Sequence, residues 1–573
     1  IRGQLLFMPS DTLSINLTAS HWKDTGNGSL NFGYKPAGIP LDRDDPTRIN
    51  AADGFLDPRF GVYEGCADGS PDRPGGRTVS GGNVCAGDAL ANIVPGARTI
   101  DYDYTPNREL EETSFYVSID WEVAEHSVMV NGAMFDYQSI NLMDADLSGL
   151  ASWVDGNYST SKSKQVDVTV SSLFDGPLQY TVGAYYFNSQ DPDNRSAYIF
   201  GSLVESWSGY AGATPETPSW ASWNSEGRGG TKSTALYGQA TYALTDKLNM
   251  TAGIRFTEDD REAQSADPLS FDNSAARLGP TLPIRTYGTR EVQKGVDKNT
   301  DYRLGADYQV GENLMVYATY ATAYIAGATD VTTQTLLAPQ TNKAFEIGAK
   351  STLLDGALRL NAAAYSGKFE GLTTTAFIDQ GDTGISVATQ VPGGSILSRG
   401  LEIEGFWDVT DELVVDFGVS IDMSQYDEFI VDAGNLVWNG TAPIGSETIS
   451  GSFVYVVDGE DTPYTPDMTV GVGVSYFIDL GDMGTIKPHV FAYYNSGYIS
   501  NRAPVFFADQ DAYTKLDISV KWESVDGDYS VQGYVNNATD ELIKTYTEIF
   551  SRARVAYDYN SPRNFGVRFA YNF

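Results

Sequence analysis

The chain alternates. In its last ten residues, NFGVRFAYNF, Phe565, Val567, Phe569, Tyr571 and Phe573 take every second position, and Gly566, Arg568, Ala570 and Asn572 take the positions between. LDISVKWE repeats the pattern with Leu516, Ile518, Val520 and Trp522 on one face and Asp517, Ser519, Lys521 and Glu523 on the other. FYVSIDWE, QVDVTV, LRLNAAAY, LEIEGFW and YSVQGYV are further copies. A period of two sends successive side chains to opposite faces of an extended strand, so each segment has one apolar and one polar face. No stretch offers the roughly eighteen apolar residues of a membrane helix, which leaves the closed β-barrel as the membrane-spanning solution open to this chain.

The joints between strands are asymmetric. LFMPSDTLSINL, SLFDGPLQYTV, TYALTDKLNMTAGIRF, YQVGENLMVYATY, STLLDGALRLNA, FWDVTDELVVDF and WESVDGDYSVQGY each read as two strands around a tight Asp, Gly, Pro or Asn turn. Between one pair and the next lie long polar segments, at about 25–110, 139–163, 189–231, 261–297, 372–397 and 428–463. Short turns at one end and long loops at the other are the plan of an outer-membrane β-barrel, with apolar residues toward lipid and polar ones toward the lumen. The fold class is therefore all-β, a transmembrane antiparallel barrel of about nineteen strands. First and last strands both run toward the short-turn end, so their count is odd. Bacterial single-chain barrels are even, and at least one strand is expected before Ile1.

Composition agrees and excludes other classes. Aromatic residues make up 12% of the 573 and glycines number 58, heavy in strand and turn formers. A formal charge of −37 repels phosphate backbones, so nucleic acid is not an expected partner. Cys66 and Cys85 sit in GCADGSPDRPGGRTVSGGNVCAG, a turn-rich stretch where a disulfide worth roughly 3 kcal/mol is expected, two free thiols being the alternative.

The segments IRGQLLFMPSDTLSINLTASHW, ALYGQATYALTDKLNMTAGIRFTEDDRE, FEIGAKSTLLDGALRLNAAAYSGKFEGL, LEIEGFWDVTDELVVDFGVSI, GYVNNATDELIKTY and SPRNFGVRFAYNF resemble, in order, successive barrel segments of the TonB-dependent receptors of Gram-negative outer membranes. The resemblance covers essentially the whole chain. It implies a barrel of about 22 strands closed by a plug domain, with IRGQLLF as the fourth strand and residues 1–573 as one barrel domain with extracellular loops. The plug and the coupling box that meets the TonB complex have no counterpart in the sequence and are expected upstream.

Candidate site residues follow from the loops and the polar rows. Asp120, Asp167, Glu402, Glu404 and Asp517 are expected in the lumen, making it electronegative and favouring cations; the ordinary acidity of exported proteins is the alternative account of these charges. Trp207, Tyr210, Trp220 and Trp223, in a Ser/Gly/Pro-rich external segment, offer ring faces to sugars or aromatic ligands; packing of the loop on itself, or a place in the aromatic belt at the membrane interface, is the alternative. DADLSGLASWVD approximates a calcium loop through Asp144, Asp146, Ser148 and Asp155, without the terminal Glu or flanking helices, so structural Ca2+ stands against plain turn chemistry. The three histidines, His21, His126 and His489, lie in no catalytic motif, and no enzyme is expected.

Active import of a siderophore, vitamin, saccharide or aromatic compound is the leading expectation. A passive diffusion channel and a surface-anchored, partner-binding barrel are the alternatives. Expected partners are outer-membrane lipid and lipopolysaccharide, the TonB complex and a surface-exposed protein.

Overall fold

The computed structural model describes residues 1–26, 32–35, 107–144, 153–200, 221–265, 271–272, 292–327, 329–330, 335–379, 386–432, 447–449, 452–501, 508–551 and 554–572. The alternating segments form nineteen long strands: β1 (Arg2–Ser10), β2 (Leu13–Gly26), β3 (Asn107–Val123), β4 (His126–Asp144), β5 (Trp153–Ser172), β6 (Leu178–Phe200), β7 (Ala221–Thr245), β8 (Leu248–Ser265), β9 (Val292–Gly311), β10 (Leu314–Ile325), β11 (Gln340–Leu353), β12 (Leu358–Asp379), β13 (Ser386–Asp408), β14 (Leu413–Asp422), β15 (Met468–Tyr476), β16 (Thr485–Asn495), β17 (Tyr513–Glu523), β18 (Tyr529–Asn536) and β19 (Asn564–Tyr571). With three short pieces at 271–272, 425–427 and 478–479 they make one 22-segment sheet. Each long strand pairs antiparallel with the next in sequence. Among the described residues there is no helix long and apolar enough to cross a membrane.

The meander rolls up. Phe32–Lys35, in the β2–β3 connection, pairs with Arg554–Tyr559, in the β18–β19 connection, so the two ends of the sheet are drawn to the same side. Among the described residues β1 pairs only with β2, and β19 only with β18. Both therefore keep one free edge, and Phe565 and Val567 are 85% and 76% exposed.

The outward row records the membrane. On β8, Met250, Ile254 and Phe256 are exposed apolar residues, and on β9 so are Tyr308, Leu304 and Tyr302. Farther from the short turns the same rows become charged: Glu258 meets Lys298 at 2.8 Å and Glu262 meets Lys294 at 3.5 Å. Asp136 pairs likewise with Lys162 at 3.0 Å, and Glu370 with Lys343 at 2.9 Å. Exposed charges on the outer wall cannot sit in hydrocarbon, so the upper strands stand clear of it. A crossing needs about 9–11 residues, whereas β6 and β7 have 23 and 25.

This corrects the segment boundaries expected from the sequence. Much of 139–163, 189–231 and 372–397 is strand, because β4, β5, β6, β7, β12 and β13 continue beyond the alternating stretches, β5, β6 and β7 with polar residues on both faces. Once both faces are wet, alternation disappears from the sequence although the ladder of hydrogen bonds continues.

Candidate functional site on the lumen wall

The row opposite the exposed apolar one faces inward. All five carboxylates expected in the lumen fall on it. Asp120 stands between the exposed Phe115 and Trp121 in parity, Asp167 between Val166 and Val168, and Asp517 beside Ile518. Glu402 and Glu404 lie opposite Ala363 and Asn361, alternating with the exposed Leu401.

Tyrosines and amides hold several of these acids. The Tyr237 hydroxyl on β7 reaches Asp167 on β5 at 3.0 and 3.1 Å by lying across Gly183 of the strand between, where any side chain would strike its ring. Tyr365 on β12 repeats the arrangement over Gly400 of β13, donating to Asp422 of β14 at 2.5 Å. On β10, Tyr317 lies over Gly348 of β11 and donates to Glu346 at 2.7 Å. Asn361 donates to Glu404 at 2.9 Å, Asn249 to Asp307 at 2.8 Å, and the backbone N–H of Asn537 to Asp517 at 2.7 Å.

Cations are placed on ring faces as well as on acids. Arg255 lies 5.3 Å from the Tyr237 ring and 5.5 Å from that of Tyr185. Lys350 stands over Tyr317 at 5.8 Å and Arg359 over Phe406 at 5.0 Å, contacts that stabilise a cation without neutralising a neighbouring acid. Between them, Glu346, Glu402, Glu404, Asp416 and Asp422 stripe the inner faces of β11, β13 and β14. A wall of carboxylates, phenols and amides suits ligands carrying hydroxyls, aromatic rings or positive charge.

The other candidates fare differently. Trp207, Tyr210 and Trp220 lie outside the described residues; Trp223 is in β7, opposite Tyr198 of β6, but its side chain is outside them too. Asp144 ends β4 and Asp155 lies in β5 across from Met143, while Asp146 and Ser148 are outside the described residues. Among the described residues no three metal-ligating side chains gather. Cys66 and Cys85 also fall outside. The histidines are bound structurally: His21 to Thr113 at 3.0 Å, His126 to the Ala124 carbonyl and the Tyr180 hydroxyl at 2.7 Å each, His489 to Ser475 at 2.9 Å. The tyrosine-over-glycine contacts escaped the sequence reading because they appear only once the register is known.

Comparison with known proteins turns this geometry into a family. The family described as TonB dependent receptor-like, beta-barrel, matches residues 60–538. The chain belongs to that family. TonB-dependent receptors are outer-membrane transport receptors, not enzymes, and this receptor is placed in that membrane. Solved structures agree in fold. The ferric yersiniabactin uptake receptor FyuA from Yersinia pestis matches at 15% identity and a TM-score of 0.68, over 100% of this chain and 70% of that one. The siderophore receptor PiuA from Acinetobacter baumannii matches at 14% and 0.63, over 98% and 74%. The ferric-catecholate import receptor Fiu from E. coli K12 matches at 16% and 0.60, over 99% and 73%.

Proposed function

We propose that this receptor imports a scarce external ligand that is neutral or cationic and rich in hydroxyl or aromatic groups, using energy that the TonB complex delivers from the inner membrane. Siderophores, vitamins, saccharides and aromatic compounds all contain such ligands, and the three relatives above are named as iron-chelate receptors. The observation that carries the ligand class is the inner wall of β11, β13 and β14, where Glu346, Glu402, Glu404, Asp416 and Asp422 outnumber the cations. An anionic chelate meets repulsion there.

The proposal includes strands that complete the barrel and a plug within it. Free edges such as those of β1 and β19 leave backbone N–H and C=O groups unpaired, which hydrocarbon does not tolerate. Lipopolysaccharide is the proposed neighbour of the belt of paired lysines and acids above the apolar band. Uptake of cationic, neutral and anionic candidates into cells carrying the full receptor tests the reading. Uptake that survives an uncoupler defeats active import, and preference for the anionic candidates defeats the ligand class.

A further inference from the structure

Near the outer end of the lumen wall, Asp259 and Arg261 of β8 stand across the ladder from Asp297 and Gly295 of β9. Arg261 is 7% exposed and Asp259 6%. The Arg261 Nη2 nitrogen lies 2.5 Å from Asp297 Oδ2. Gly295 makes room for this pair, since a side chain there would come within 3.2 Å of the same nitrogen.

A roof closes over them. The backbone N–H of Gly327 donates to Asp297 Oδ2 at 3.2 Å. The Leu336 side chain packs over Gly295, and the Leu337 carbonyl approaches Gly327 so closely that no side chain fits at 327. Beneath the roof Arg261 Nε and Nη1 are buried without a hydrogen-bond partner.

Idle donors on a buried cation are costly to keep, so the covered arrangement carries a penalty that a ligand oxygen can remove. Charge selects the kind of oxygen. Arg261 is outnumbered by Asp259 and Asp297, so a further anion is repelled. A hydroxyl or carbonyl oxygen accepts a hydrogen bond from the idle N–H without that repulsion, and a hydroxyl can donate its own O–H to a carboxylate. We propose that Arg261 is a latent binding residue for a neutral hydroxyl- or carbonyl-bearing ligand, uncovered when Leu336 and Leu337 lift from Gly295 and Gly327. This rests on the import reading above and names the chemistry of one point along its ligand path.

The test reads arginine chemistry rather than transport, so its failure is distinct from failure of the import reading. The full receptor in detergent micelles is treated with phenylglyoxal, and Arg261 modification is measured by peptide mass spectrometry against the exposed Arg563 in the same digest. Arg261 is expected to react about tenfold more slowly than Arg563, and Leu337→Ala, or independently Leu336→Ala, to raise its rate about tenfold by favouring local opening. In either opened variant sucrose slows the reaction about threefold and succinate leaves it unchanged, as competition for the guanidinium by a neutral ligand requires. Arg261 reacting as fast as Arg563 in the unaltered chain, or no acceleration in both variants, overturns the roof. Protection by succinate equal to that by sucrose, or by neither, overturns the ligand class.

Discussion

Tyr317 lies across Gly348, its opposite on β11, with its hydroxyl 2.7 Å from Glu346 Oε1. A methyl group at 348 would sit 2.6 Å from the ring. No carbon pair holds that separation, so Gly348→Ala forces the ring aside and draws the hydroxyl off the carboxylate. A hydrogen bond to a charged partner contributes about 1.5–3 kcal/mol. Overpacking adds about 1–3 kcal/mol, so the substitution should cost about 2.5–6 kcal/mol in all. Tyr317→Phe removes the bond alone and should cost about 1.5–3 kcal/mol. At Gly418 of β14 an added methyl meets nothing within 4 Å, and Gly418→Ala should stay within about 1 kcal/mol of the parent. Urea unfolding in detergent micelles, followed by tryptophan fluorescence, gives each value from midpoint and slope. The deciding comparison places Gly348→Ala in a Tyr317→Ala background, where the methyl has no ring to displace and should add little. An equal cost with and without the ring, or an equal cost at Gly418, would refute the mechanism.

Asp297→Ala leaves the Arg261 guanidinium buried and unpaired, and the same unfolding assay should show a loss of about 3–5 kcal/mol. Lys298→Ala, which breaks the exposed pair with Glu258, should leave the urea midpoint essentially unchanged. On β19, Val567→Lys puts a charge toward lipid at an expected cost of about 2–4 kcal/mol and should reduce the folded band in semi-native electrophoresis, whereas Ala570→Lys, on the other row, should leave it intact. In the Arg554–Tyr559 strand, outside the membrane, burial pushes the Asp558 carboxyl above its ordinary value. The folded form thus holds its proton more tightly than the unfolded one, so this group erodes stability as pH rises from its unfolded value through the folded one. Asp558→Asn should therefore slow proteolytic nicking of 544–559 at neutral pH, with the difference vanishing below the carboxylate range.

How much of this was legible in the sequence depended on whether one face of a strand was dry. Where hydrocarbon met one side, as at Phe565, Val567, Phe569 and Tyr571, alternation identified the strand and its lipid-facing row. Seven short turns announced themselves through Asp, Gly, Pro or Asn. The β3–β4 turn did not, because Ala124 and Glu125 take φ of 48° and 61° without the residues that usually mark such a turn; His126, bonded to the Ala124 carbonyl, supports it instead. The β15–β16 joint carries such marks in Asp479, Gly481, Asp482 and Gly484, but it closes through a short helical turn at Gly481–Met483 instead of a two-residue hairpin. The inward carboxylates could be read from parity alone. Their tyrosine partners could not, since Tyr237 and Asp167 are seventy residues apart and meet only through the register of β5, β6 and β7.

The unequal strand lengths give the outer opening a slanted profile. From β4 to β9 the wall rises as continuous ladder in strands of 18 to 25 residues, while β14 to β19 are strands of 8 to 11. The low side also carries small sheets, one of Ile430–Asp432, Glu447–Ile449 and Ser452–Val456, one of Tyr498–Ile499 and Asp509–Gln510, and one of Phe32–Lys35, Lys544–Ser551 and Arg554–Tyr559. A molecule arriving from outside thus faces continuous ladder on one flank and short sheets on the other, two of which are tied together where Tyr498 and Asn501 donate to the Lys544 and Thr547 carbonyls. The ladder from β14 to β19 is complete without those sheets, so on that flank the rim can vary without touching the wall beneath it.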